Sequence, residues 1–141
     1  NGVLRVDKVS VPNPTSIRLG HYTLPENDGT PVKESTSAKV PGATIISNGE
    51  YSLAMVNLTD WNKTSVLHPE GIHPVSSTCG LIMNEKQVQK EEVMVTLMLW
   101  KKGKKSFSKK ELTPVKSIKV SDDKKSVEIV MADKTVKKVT F

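Results

Sequence analysis

Apolar residues in this chain alternate with polar ones in runs of roughly four to eight, bounded by proline, glycine, asparagine and aspartate, and that period predicts strands. Val3-Leu4-Arg5-Val6 and Val9-Ser10-Val11 stop at Pro12-Asn13-Pro14, which reads as a first strand and a turn. Ile17 and Leu19, then Tyr22 and Leu24, alternate in two phases offset at Gly20, the pattern of a β-bulge. Residues 26–31 are dense in turn formers, and 32–39 are small and polar, an exposed connection or edge strand ending at Pro41-Gly42.

The stretch 43–83 organises the rest. Residues 43–46 and 51–58 flank Ser47-Asn48-Gly49-Glu50, and Asn-Gly tolerates the two positive φ values of a type I′ turn, so a hairpin is expected. With Asn48 and Gly49 as the loop, Ile46 faces Tyr51 and Thr44 faces Leu53, while Ala43 and Ile45 share the other face with Ala54 and Val56. Both faces are apolar, which predicts a hairpin sandwiched between layers. Residues 59–74 hold polar groups and, from His68 to Pro74, two prolines and a glycine, which exclude a helix. Residues 75–83 return to extended structure, and 84–92 read as a charged loop or at most two helical turns.

Residues 93–100, VMVTLMLW, carry β-formers on both faces and predict a central strand with Trp100 in the core. Lys101 to Lys116 places seven lysines around Phe107. The tail predicts a meander over 117–121, 126–131 and 135–141, with Ile118, Val120, Val127, Ile129, Met131, Val139 and Phe141 inward and lysines outward. No stretch reads as a properly capped amphipathic helix. The fold class expected is all-β, an antiparallel β-sandwich of the supersandwich type with little or no helix, in one domain over 1–141.

Composition narrows the function classes. At 141 residues the chain is the size of one domain. No apolar run approaches the ~18 residues of a membrane span. A single cysteine, Cys79, rules out an intramolecular disulfide and, among small residues, reads as a packing residue. The net charge of +6 favours an acidic partner, yet only Arg5 and Arg18 among the 21 basic residues are arginine. Nucleic acid is not expected, because the lysine-rich segment interleaves only Phe107 with its cations.

Candidate chemistry centres on the histidines. His68 and His73 share a loop with Glu70, near Asp60, and offer the ligand types of a structural zinc site, though without the helical i, i+4 spacing or a Cys-x-x-Cys. Solvent-facing loop histidines are the competing reading, and no other cofactor is expected. The histidines with Tyr22 would also serve as an acid/base set. No nucleophile-elbow, phosphate-loop or dinucleotide motif occurs. Trp61, in Thr-Asp-Trp-Asn, offers a ring for stacking on sugar. Asn57-Leu58-Thr59 and Asn62-Lys63-Thr64 match glycosylation sequons, a pattern common by chance.

Three segments together carry a family resemblance: Ile17-Arg18-Leu19-Gly20-His21-Tyr22-Thr23-Leu24-Pro25, then Asn48-Gly49-Glu50-Tyr51-Ser52-Leu53-Ala54-Met55-Val56 leading to Asp60-Trp61, and His68-Pro69-Glu70-Gly71-Ile72-His73-Pro74-Val75-Ser76-Ser77. The chain resembles, over roughly residues 17–100, the β-sandwich region that follows the helical toroid in heparinase II/III-type polysaccharide lyases and their uncharacterised relatives from gut Bacteroidetes. That resemblance implies a C-terminal fragment whose helical partner domain, N-terminal in the same protein, supplies the catalytic residues. It implies an acidic polysaccharide as ligand and a periplasmic or extracellular setting. The residues expected at the glycan are His21, Tyr22, Trp61, His68 and His73. The chain by itself is then non-catalytic. The alternative is a structural domain that packs on a neighbour, which an exposed apolar patch would favour.

Overall fold

A computed structural model describes residues 2–23, 33–36, 40, 42–47, 51–67, 80–103 and 106–141. Within them lie strands β1 (Gly2–Ser10), β2 (Thr15–Thr23), β3 (Lys33–Thr36), β4 (Ala43–Ser47), β5 (Tyr51–Asn57), β6 (Lys63–Leu67), β7 (Gly80–Val88), β8 (Glu91–Lys102), β9 (Val115–Val120), β10 (Ser126–Met131) and β11 (Val136–Thr140). A single helical turn, α1 (Lys109–Leu112), interrupts them. All strand pairing is antiparallel, and the fold is all-β as the alternation predicts. Three sheets form, with strand orders β1-β8-β5-β4-β3, β2-β7-β6 and β11-β10-β9. We call them the central, distal and C-terminal sheets.

Central and distal sheets are two halves of one bent ribbon. The ladder between the first strand pair runs from Gly2 opposite Leu99 to Ser10 opposite Glu91, then resumes from Thr15 opposite Val88 to Thr23 opposite Gly80 without reversing direction. Pro12-Asn13-Pro14 is therefore a corner and not a hairpin turn. Prolines suit it, because the chain leaves the ladder there and no donor is lost. On the other flank, β5 follows β8 as far as Asn57 opposite Thr96, and β6 picks up β7 at Lys63 opposite Glu85. Residues 58–62 thus span on that side what the middle strand covers with residues 86–95, which places them on the inside of the bend. They are pinned there: Leu58 N donates to Val95 O at 2.9 Å, Asn62 N to Glu85 O at 2.9 Å, and Val95 N to Thr59 Oγ1 at 3.0 Å. Strands that change sheets at a bend make the corners of such packings.

The bend folds the distal sheet over one face of the central sheet. Ile82 of β7 packs with Ile46 and Met55, with Leu53 and Met98 against them. The opposite face buries Ala43, Ala54, Val56 and Leu97 under Phe107 and Leu112, and further along it Val93 and Val95 meet Val127 and Ile129 of the C-terminal sheet. The central sheet is thus a middle layer, and the two-faced hairpin expected at 43–58 lies inside it. Its register differs from expectation: Ile46 faces Leu53 and Thr44 faces Met55. The shift is two residues, an even number, so every side chain keeps the expected face.

Other expectations change. The ladder runs through Gly20 opposite Met83 with no shift, so there is no bulge at that glycine. Residues 84–88, read as loop or helix, continue β7, and 91–92 begin β8. Asn84 is buried there, and Asn57 Nδ2 and Thr64 Oγ1 donate to its Oδ1 at 3.1 and 2.7 Å while its Nδ2 donates to Asn57 Oδ1 at 3.1 Å. This reciprocal amide pair satisfies polar groups on three strands and ties the two halves of the ribbon across the inside of the bend. It also gives the Asn57 sequon a structural role.

Residues 108–112 form a capped turn that sequence reading passed over. Glu111 N donates to Ser108 Oγ at 3.3 Å and Ser108 N donates to Glu111 Oε2 at 2.8 Å, a capping box that sets Leu112 in the core. The C-terminal meander is as expected, with turns at Asp122-Asp123 and Ala132-Asp133-Lys134; Lys124 and Lys134 take positive φ of 55° and 71°. Phe141 is the exception: it lies beyond the last ladder pair, 45% exposed, with Lys8 Nζ 5.7 Å from its ring centre.

Candidate functional site

His68, His73 and Cys79 lie outside the described residues, as does the Asn48-Gly49 turn. Among the described residues no three histidine, cysteine or acidic side chains gather as a metal site would require. His21 and Tyr22 are in β2, opposite Ile82 and Leu81. Trp61 sits in the segment crossing the inside of the bend, half-buried, with its Nε1 buried and unpaired.

The exposed aromatic residues are elsewhere. Tyr51 is 45% exposed, Trp100 38% and Val3 46%. Cross-strand partners lie on one face of a sheet, and here Val3 faces Met98, Leu53 faces Trp100 and Tyr51 faces Lys102. All three exposed residues therefore share the face of the central sheet that buries Met55 and Met94 nearer the bend. Among the described residues the distal sheet covers that face nearer the bend, through Ile82. Lys102, also exposed, is the cross-strand partner of Tyr51.

On the reverse side of the same end, Leu99 and Lys101 point toward the α1 segment. A cleft of about 300 Å³ is lined there by Gly2, Leu99, Trp100, Lys101, Phe107 and Glu111. Its charges are already matched: Lys101 pairs with Glu111 and lies 4.9 Å from the centre of the Phe107 ring. The Lys101 ammonium, with the Ser108 backbone N–H and hydroxyl, holds the Glu111 carboxyl down at about 2, against an ordinary 4.5. This pair latches α1 onto the sheet. Asp123 and Asp133 are likewise lowered by turn hydrogen bonds, from the Ser121 hydroxyl and the Thr135 backbone N–H respectively.

Charge is divided along the chain. Residues 101–141 hold thirteen lysines against five acidic residues, a net of +8, whereas residues 1–100 hold eight basic and ten acidic residues, a net of −2. Nine of those thirteen lysines are exposed among the described residues. On the outer face of the C-terminal sheet Lys119 and Lys138 flank Glu128 in a cross-strand row. The lysine excess thus lies in the last 41 residues and is not spread evenly along the chain, a division that a count of charges by segment would have found.

No family model, no curated protein and no solved structure matches this chain. Among the described residues no helix is long and apolar enough to cross a membrane.

Proposed function

We propose that this chain is an accessory, non-catalytic β-sandwich domain of a heparinase II/III-like polysaccharide lyase, and that it helps to hold an acidic polysaccharide. The observation that carries the reading is the division of charge: a net of +8 gathered in the last 41 residues. A basic field of that kind raises the local concentration of a polyanion. The segments Ile17–Pro25, Asn48–Val56 and His68–Ser77 support the family through their resemblance, and an all-β fold is what that resemblance implies. In this reading bond cleavage belongs to a helical domain of the same protein, and the setting is periplasmic or extracellular. Lysine rather than arginine suits a long, flexible polyanion held by many loose contacts better than one fixed phosphate.

Calorimetric titration with heparin, chondroitin sulfate and alginate tests the proposal. Binding to at least one, weakening as salt rises from low to physiological strength, is the expected result. Absence of binding to every acidic glycan would overturn it. A second reading, a structural domain that docks on a neighbour, is favoured by the exposed Val3, Tyr51 and Trp100.

A further inference from the structure

The two edges of the C-terminal sheet are guarded differently. On the β9 side, Pro114 precedes the strand and the register shifts between Val130 and Met131, so that edge is broken. On the β11 side the ladder runs without a shift from Ser126 opposite Thr140 to Val130 opposite Val136. Its phase is fixed at both ends: Met131 N donates to Thr135 O at 2.8 Å, and Phe141 N donates to Lys125 O at 2.9 Å. Bonded pairs alternate in an antiparallel ladder, so Lys137 and Val139 bond to β10 while Val136, Lys138 and Thr140 turn their backbone N–H and C=O away from it. Among the described residues no further hydrogen bond reaches these outward groups. The side chains of Val136, Lys137, Lys138 and Thr140 are exposed, Val136 at 55%.

We propose that β11 is a docking edge for an extended acidic peptide segment of a partner protein, which adds a strand beside it. This goes beyond the glycan reading and does not rest on it. In strand addition the main-chain bonds give affinity and the side chains give specificity, and here the lysines select the sign of the partner. On the outer face Lys119, Glu128 and Lys138 form a cross-strand row of alternating charge that ends, at the edge, on a cation. On the opposite face Lys137 stands against Ile129. An added strand sets one residue against each of these lysines, at successive positions. Two adjacent carboxylates between β-branched residues therefore complete both rows. Residues 132–141 hold Lys134, Lys137 and Lys138 against Asp133 alone, so the edge is basic along its length.

A second copy is the occupant that this edge rejects. Only residues of the same bonding phase face each other across an antiparallel pair. A copy related by a two-fold axis at the middle of β11 therefore sets Lys138 against its own counterpart, and moving the axis one residue toward the N-terminus sets Lys137 against its counterpart instead. Like charges directly opposite are destabilising. A proline or a bulge would refuse every partner, whereas a lysine refuses a basic edge and accepts an acidic one. A polysaccharide has no backbone ladder at the strand repeat, so it meets the lysines without engaging the outward N–H and C=O groups in register.

Amide hydrogen exchange of the whole chain, read by NMR, tests the edge with a short blocked peptide in which two adjacent glutamates lie between valines and threonines. On saturation the amides of Val136, Lys138 and Thr140 should gain protection, while those of Lys137 and Val139, already bonded to β10, change little. The paired reversal Lys137→Glu with Lys138→Glu should weaken binding of the acidic peptide roughly tenfold and let a peptide with lysines in place of the glutamates bind instead. Protection that does not alternate along residues 136–140, or no binding of the acidic peptide, would overturn the edge. Alternating protection that needs no peptide and rises with protein concentration would overturn it in favour of a second copy. Heparin, titrated alone, should shift the lysines without that alternation. Its failure to bind, with the peptide bound as described, would count against the glycan reading and leave the edge standing.

Discussion

The central and C-terminal sheets are built from similar strands, yet they stand in opposite relations to water. In the central sheet β4, β5 and β8 are covered on both faces: Ala54 and Val56 lie under the α1 segment, while Met55 lies under the distal sheet. The C-terminal sheet has one covered face, Val127 and Ile129 against Val93 and Val95, and one wet face that carries Lys119, Glu128 and Lys138. The difference teaches where each sheet can change. A middle layer tolerates little change, because both of its faces are packed. A half-wet sheet can vary its whole outer face, and there Lys119 and Lys138 stand on either side of Glu128.

One charge placed in the two sheets would break or sharpen that contrast most. Ala54→Asp puts a carboxylate at a fully buried position between layers, where an uncompensated charge costs about 3–5 kcal/mol. Loss of the cooperative melt is expected. Lys119→Asp makes a larger change of charge on the wet face, opposite Glu128, and should still cost no more than ~1 kcal/mol. Equal effects in urea titrations would mean that the layering is wrong.

A smaller loss is expected from Asn84→Ala, which takes the donor from Asn57 Oδ1 and the acceptor from the Thr64 hydroxyl inside the bend, leaving only the Asn57 Nδ2 bond to Thr64 Oγ1 at 3.0 Å. About 1–3 kcal/mol of destabilisation should follow. A neutral result would show that the ribbon's bend does not depend on this polar pair.

The smallest effect concerns pH. Glu111 has a folded-state value of about 2, below its ordinary 4.5, so its ionised form favours the fold. That contribution is fully present above pH 4.5 and is lost as pH falls toward 2. Melting temperatures of the parent and Glu111→Gln should differ above pH 4.5 and converge near pH 2. A constant difference across that window would mean that the Lys101–Glu111 latch does not form.

How much of this was legible follows from which features are local. The faces of β4 and β5 could be read from apolar residues on both sides of an Asn-Gly signal, and they survive a register error because the error is even. The meander could be read because one wet face enforces alternation. The corner at Pro12-Asn13-Pro14 could not, since a turn and a corner use the same residues and only pairing with a distant strand separates them. Residues 84–88 misread as loop because asparagine, glutamate and lysine are poor strand formers in isolation, and Asn84 finds its partners 20 and 27 positions away. The Ser108–Glu111 capping box was legible but very short. Trp100, at the end of the most apolar run, read as core, because exposure at a strand end depends on non-local packing that the run itself does not encode. Of the expected glycan residues, Trp61 is half-buried, His21 and Tyr22 sit in β2, and His68 and His73 lie outside the described residues. The expected zinc site at His68 and His73 lies there too.

The central claim is that the basic last 41 residues draw an acidic polysaccharide to this chain. Backbone amide shifts followed by NMR during titration with heparin test it most directly. Perturbations should cluster at the lysines of residues 101–141 and shrink as salt rises. Perturbations confined to residues 1–100, or none with any acidic glycan, would contradict it.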